Sequence, residues 1–135
     1  MLSKDLHKRG FSEWLPFTLV EQPRLIGELP QSDGVYVIRS SRSFGRYRGE
    51  SDIVYVGSST NATGGLKGRA KFFFRPGRSQ YTSLRIKALL DRAEELEISF
   101  RVCLAIEARS LEKGILKQYV DDHWELPPYN RSQPR

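Results

Sequence analysis

A chain of 135 residues, 39% hydrophobic and 28% charged, has the size and composition of one globular domain with one modest core. No apolar run approaches the roughly 20 residues of a membrane span, no secretory h-region follows the start, and the single Cys103 excludes an internal disulfide and any cysteine-rich zinc site. A reducing, cytoplasmic location is the expectation, and a net charge of +6 favours a polyanionic partner, nucleic acid ahead of an acidic membrane surface.

Residues 1–30 read as a lead-in that packs on the domain. Ser3 to Arg9 suits a short basic helix, and Trp14, Phe17, Leu19 and Val20 offer apolar contacts, while Pro16, Pro23 and Pro30 argue against any long element. The turn residues Gln31-Ser32-Asp33-Gly34 then open the main domain, expected over 31–132 with a frayed tail at 133–135. Two β-branched and aromatic runs, Val35 to Ile38 and Ile53 to Val56, predict paired strands. Strict alternation puts Tyr36 on a face with Ile38, and Tyr55 on a face with Ile53. Between them Ser40 to Asp52 reads as a long basic loop. Its Arg42, Arg46 and Arg48 interleave with Phe44 and Tyr47, which suits either a surface that tracks a nucleic-acid backbone or a plain solvated loop.

A helix is predicted over Leu66 to Phe74, stopped by Pro76-Gly77. Arg69 lies three and four residues before Phe72 and Phe73, so it shares their apolar face, with Lys67 and Lys71 about 200° away. An inward arginine needs an anionic partner. Arg75 and Arg78 sit in the basic loop that follows. A second helix, from Ser83 to Glu95, carries the stripe Ile86, Leu89, Leu90 and Ala93. Alternation from Ile98 to Ile106 predicts a third strand, and Ser110 to Trp124 a last helix. Glu112 precedes Ile115, Leu116, Tyr119 and Val120 at helical spacing. It therefore stands on the buried stripe, in a first turn where the helix dipole supports a carboxylate. Arg69 and Glu112 are polar exceptions of opposite charge on two buried faces, which suggests one shared site. Leu126 to Asn130 turns the chain back, with Asn130 suited to a local cap. The fold expected is α+β, a small central antiparallel three-stranded sheet flanked by helices in β-β-α-α-β-α order.

Five pieces in that order carry a resemblance: Gly34-Val35-Tyr36, Tyr55-Val56-Gly57, Leu66-Lys67-Gly68-Arg69, Leu111-Glu112 and Tyr129-Asn130. Together they resemble the GIY-YIG nuclease family over residues 33 to 131. The resemblance implies a metal-dependent endonuclease acting on DNA, with RNA left open. It implies that Arg69 engages the scissile phosphate and that Glu112 binds one divalent ion. It also implies that Tyr36 and Tyr55 line the site and that Asn130 supports it. With one carboxylate, magnesium is the natural ion and manganese its substitute. Tyr36 is the first choice for general base and Tyr55 the second, as an orienting hydroxyl. His123 is about three turns, or roughly 16 Å, from Glu112 and stays out. The chain departs from the family where Ser58 replaces a lysine common after the second triplet, and in its longer, basic gap between triplets. A catalytically weak nucleic-acid-binding module of the same fold is the alternative, and a protein-interaction domain a third. No DNA-reading motif is appended, so specificity would come from DNA structure, a homodimer or a larger complex.

Overall fold

A computed structural model describes residues 1–60, 64–78, 80–92 and 94–130. Ala93 of the expected helical stripe and the tail expected to fray lie outside the described residues. The element order is a 3-10 helix (Ser3–Arg9), β1 (Leu15–Phe17), α1 (Gln22–Glu28), β2 (Gly34–Gly45), β3 (Glu50–Ser59), α2 (Gly65–Phe74), α3 (Tyr81–Asp91), β4 (Leu96–Val102) and α4 (Ala105–His123). This is an α+β chain. Among the described residues no helix is long and apolar enough to cross a membrane.

The sheet has four strands, all antiparallel, in the order β1-β4-β2-β3. The expectation of three strands is corrected by β1, where Leu15, Pro16 and Phe17 pair with Ile98, Glu97 and Leu96. Its proline is tolerated because β1 is an edge strand. Phe17 is fully buried in the core, so β1 is part of the sheet layer.

Strand β2 is central, and both its faces are covered, which explains a run buried without a break from Gly34 to Ile38. Tyr36 and Ile38 point to the side of α2 and α3, into a core shared with Phe17, Phe73, Ile86 and Ile98. Val35 and Val37 point to the opposite side, toward Ile115, Leu116 and Tyr119 of α4. Burial of these aliphatic and aromatic side chains, at about 25 cal/mol per Å² of apolar surface, is the main force holding both layers to the sheet.

Three expectations fail, each for a local reason. Ile38 pairs with Tyr55 but Arg39 pairs with Ile53, so Val54 is the extra residue of a β-bulge. The bulge shifts the alternation by one. Ile53 joins the α4 side while Val54 and Tyr55 both face α2, so Tyr55 and Ile53 do not share a face. The long loop is instead mostly strand, since β2 and β3 continue to a connection of Arg46 to Gly49. Finally, β4 ends at Val102. The backbone N–H of Cys103 donates to Asp33 O at 3.1 Å, and α4 begins two residues later. Leu104 and Ile106, predicted on a buried face, are 69% and 75% exposed. Smaller shifts are that α3 starts at Tyr81 and stops at Asp91.

Candidate active site

Tyr36, Tyr55, Arg69, Ser58 and Glu112 gather around the second triplet of β3, the outer strand of the sheet opposite β1. Tyr36 and Tyr55 meet on the α2 side with ring centroids 5.9 Å apart, and Phe73 packs edge-on against both at 5.6 and 6.3 Å. Two glycines make this close approach possible. A Cβ on Gly57 would overlap the Tyr36 phenol and lie 2.9 Å from Tyr55 Cε1, and one on Gly34 would overlap the carbonyl of Arg101. The glycines of both triplets are thus set by packing, with no demand for a positive φ.

Arg69 comes from the middle of α2, at the border of a buried stripe made by Leu66, Ala70, Phe73 and Phe74. Its guanidinium reaches the two tyrosines and lowers the pKa of both, yet Arg69 Nε and Tyr36 Oη are buried without a hydrogen-bond partner. A buried donor left unmatched costs about 1–3 kcal/mol, and such groups in a folded protein call for a ligand or solvent atom. Burial, ahead of the influence of Tyr55, raises the Tyr36 pKa well above 10; Tyr55 is raised as well, again chiefly by burial. Tyr36 is almost fully enclosed whereas Tyr55 is half-buried. The environment of Tyr36 therefore opposes the base role expected of it. Tyr55 keeps solvent access.

Glu112 arrives from the other side of the sheet. It is the eighth residue of α4, so the expected first-turn support from the helix dipole is absent. Ala108, Ile115, Leu116 and Tyr119 surround its position on the helix, which puts the carboxylate in the middle of the buried stripe. Burial raises its pKa, opposed by a hydrogen bond from Ser58 and by the field of Arg69. Ser58 Oγ donates to Glu112 Oε2 at 2.6 Å. Arg69 and Glu112 feel each other without forming an ion pair, and Tyr55 feels both. These influences join the two sides of the sheet into one site. Ser58 stood out in the sequence only as a missing lysine, and nothing in its neighbours signals its bond to a residue 54 positions away.

Asn130 is not a local cap. Its Nδ2 donates to Val56 O at 2.8 Å and its Oδ1 accepts from Val56 N at 3.0 Å, while Tyr129 N donates to Val54 O at 3.0 Å. The returning chain thereby completes the outer edge of β3 on both sides of Tyr55. Asn130 holds the triplet in place through one N–H and its amide oxygen.

The five arginines expected on a nucleic-acid surface divide. Arg46 is committed to the protein: it pairs with Glu125 at 2.6 Å and donates to Leu126 O at 2.7 Å, fastening the hairpin connection to the end of α4. Arg48 is exposed and lies over the Trp124 ring at 5.6 Å. Arg42, Arg75 and Arg78 are exposed. His123 is buried beneath the connection, bonded to Arg48 O at 2.7 Å, and takes no part in the site.

Among the described residues no group of three or more His, Cys, Asp or Glu could hold a metal ion. The fit of a divalent ion here rests on Glu112 alone. Ser58 occupies Oε2, and a half-buried carboxylate with a raised pKa gains from a cation at its other oxygen. One carboxylate suits magnesium, which keeps most of its waters. The chain matches no protein-family model, no curated protein and no solved structure.

Proposed function

We propose that this chain is a metal-dependent endonuclease of the GIY-YIG type that hydrolyses DNA phosphodiester bonds. The observation that carries the reading is the gathering of Arg69 and Tyr36, whose Nε and Oη are buried without a geometric hydrogen-bond partner, with Glu112, a half-buried carboxylate that accepts from Ser58 and makes no ion pair with Arg69. A phosphate oxygen can meet the open part of the Arg69 guanidinium, while the Tyr36 hydroxyl lies behind it, inside the core. The guanidinium then stands where negative charge accumulates as water attacks phosphorus, and it does so without reorganising.

Both phenols are protonated at neutral pH, so Tyr36 acts as a fixed donor beside Arg69. Tyr55, which feels both Arg69 and Glu112, orients the attacking water and, from its solvent-reaching side, gives its phenolic proton to bulk water as it takes one from the nucleophile. Glu112, steadied by Ser58, would hold magnesium, or manganese in its place, which when bound supplies positive charge to the departing 3′ oxygen. A lysine at position 58 would pair with Glu112 and compete with that cation; the serine leaves it available. Ser58 is also what favours the second reading, a binding module of low catalytic power, because it brings no positive charge.

The test is a panel of supercoiled DNA, branched duplex, single strands and RNA, each with magnesium, manganese or a chelator. We expect a supercoiled or branched DNA to be cut only with metal. Binding without cutting under every condition would favour the binding module.

The arginines sharpen the reading. Arg46→Ala should lower the melting temperature by a few degrees and leave the salt dependence of DNA affinity alone, because its partners are internal. Combined replacement of Arg42, Arg75 and Arg78 should do the reverse. Each true phosphate contact removed flattens the slope of log affinity against log salt by about 0.9. Salt titration beside thermal melting separates the two classes.

A further inference from the structure

Helix α1 and the outer side of α2 enclose a groove of about 330 Å³, lined by Gln22, Ile26, Lys71, Phe72 and Arg75. None of the five belongs to the site around Arg69 and Glu112. Phe72 departs from its neighbours: Phe73 and Phe74 are buried, whereas Phe72 is 43% exposed although the sequence places all three in one apolar run. Ile26 provides an apolar wall beside it, and the amide of Gln22 can both donate and accept. Lys71 on α2 and Arg75 just past its end are exposed and enter none of the ion pairs among the described residues.

An open aromatic face next to an apolar wall, an amide and two unpaired cations fits an unstacked base with its own phosphates. The volume is at the low end for small-ligand pockets, so it suits one base and not a duplex. Location agrees. Phe72 follows Arg69 by three residues, about 4.5 Å along the axis of α2 and 60° around it. A strand with a phosphate at Arg69 reaches the groove within a nucleotide or two.

We propose that the groove between α1 and α2 is a nucleotide subsite, which takes one unpaired base stacked on Phe72 with Lys71 and Arg75 on the adjoining phosphates. It rests on the nuclease reading and narrows the substrate to strands that offer an unpaired base beside the cut.

The experiment uses the full chain and compares wild type with Phe72→Ala, Phe72→Leu and Phe72→Tyr. Affinity is measured for labelled oligo(dT), oligo(U), a blunt duplex and inorganic polyphosphate, a polyanion without bases. We expect Phe72→Ala and Phe72→Leu to weaken both single strands about tenfold, because leucine keeps apolar surface but no ring face, while Phe72→Tyr binds as wild type. Duplex and polyphosphate affinities should be the same in all four. Phe72→Trp adds a readout independent of affinity: oligo(dT) should quench the new indole and polyphosphate should not. Equal single-strand affinities across the series, losses shared equally by polyphosphate, or an unquenched indole would each overturn the subsite. Its failure is distinct from that of the nuclease reading. A wild type that cuts DNA with no Phe72 dependence sinks the subsite alone; Phe72-dependent binding without any cleavage sinks the nuclease and supports the subsite.

Discussion

Replacing Arg69 by methionine should reduce single-turnover cleavage by about 10³-fold and weaken phosphate binding, with no loss of thermal stability. The factor follows from removing a preorganised cation that acts on the charge of the transition state. Stability should hold for a separate reason. Arg69 is partly buried, its Nε has no hydrogen-bond partner, and it makes no ion pair with Glu112; only the neighbouring phenols of Tyr36 and Tyr55 offset the burial of its charge, so it adds little to the stability of the folded protein. Methionine fills much of the same volume and carries no charge. Arg69→Lys tests the geometry: a single ammonium keeps the charge but not the two-pronged donor set, so most of the cleavage should be lost while much of the salt-dependent affinity remains. Nicking rates, DNA affinity and melting curves on the three proteins check each part. A methionine variant that melts far lower would show that Arg69 serves the fold.

Glu112→Gln should also cut orders of magnitude more slowly, but with a different signature. Glutamine keeps the shape and can accept the hydrogen bond from Ser58. DNA affinity should therefore survive, since Arg69 and the exposed arginines remain. Stability acquires a pH dependence whose sign is fixed. Burial raises the Glu112 pKa above its ordinary 4.5, so the folded state holds that proton more tightly than the unfolded chain. The resulting stabilisation is fully present below the ordinary pKa and is lost as pH rises through the folded one. Without metal, the glutamine variant should thus melt a few degrees above wild type at neutral pH, and the gap should close as pH falls toward 4. Magnesium should raise the melting temperature of wild type and not of the variant. Melting with magnesium and with chelator across that pH range checks both statements. A variant that gains equally from magnesium would remove Glu112 as the ligand.

Much of the site is legible in the sequence because its signals are local. Arg69 and Glu112 interrupt apolar stripes at helical spacing, and that pattern needs no knowledge of what lies opposite. The helix carrying Glu112 was harder to bound. The alternation from Ile98 continues through Leu104 and Ile106, yet these side chains are exposed, because the ladder with β2 ends at the Cys103–Asp33 bond, ahead of the start of β2, and α4 begins at Ala105. A period of two shows a capacity for strand and says nothing about where a partner strand stops. The bulge at Val54 is invisible for a similar reason. It is a property of two paired strands, and it alone puts Ile53 on the side of the sheet opposite Tyr55. Arg46 reads like its exposed neighbours until Glu125, 79 positions later, is folded against it. The clamp of Asn130 on Val56 and the bond of Ser58 to Glu112 are likewise contacts between distant segments. The strand Leu15–Phe17 is not legible, because three residues with a central proline hold no periodicity, although Phe17 itself signals burial.

The most direct measurement is single-turnover nicking of supercoiled DNA by wild type, Arg69→Met and Glu112→Gln, prepared side by side and assayed with magnesium and with chelator. Wild type should give nicked product with magnesium and none with chelator, and both variants should lose orders of magnitude, with binding kept by Glu112→Gln and weakened in Arg69→Met. Equal nicking by all three proteins, or nicking by wild type that persists in chelator, would contradict this mechanism.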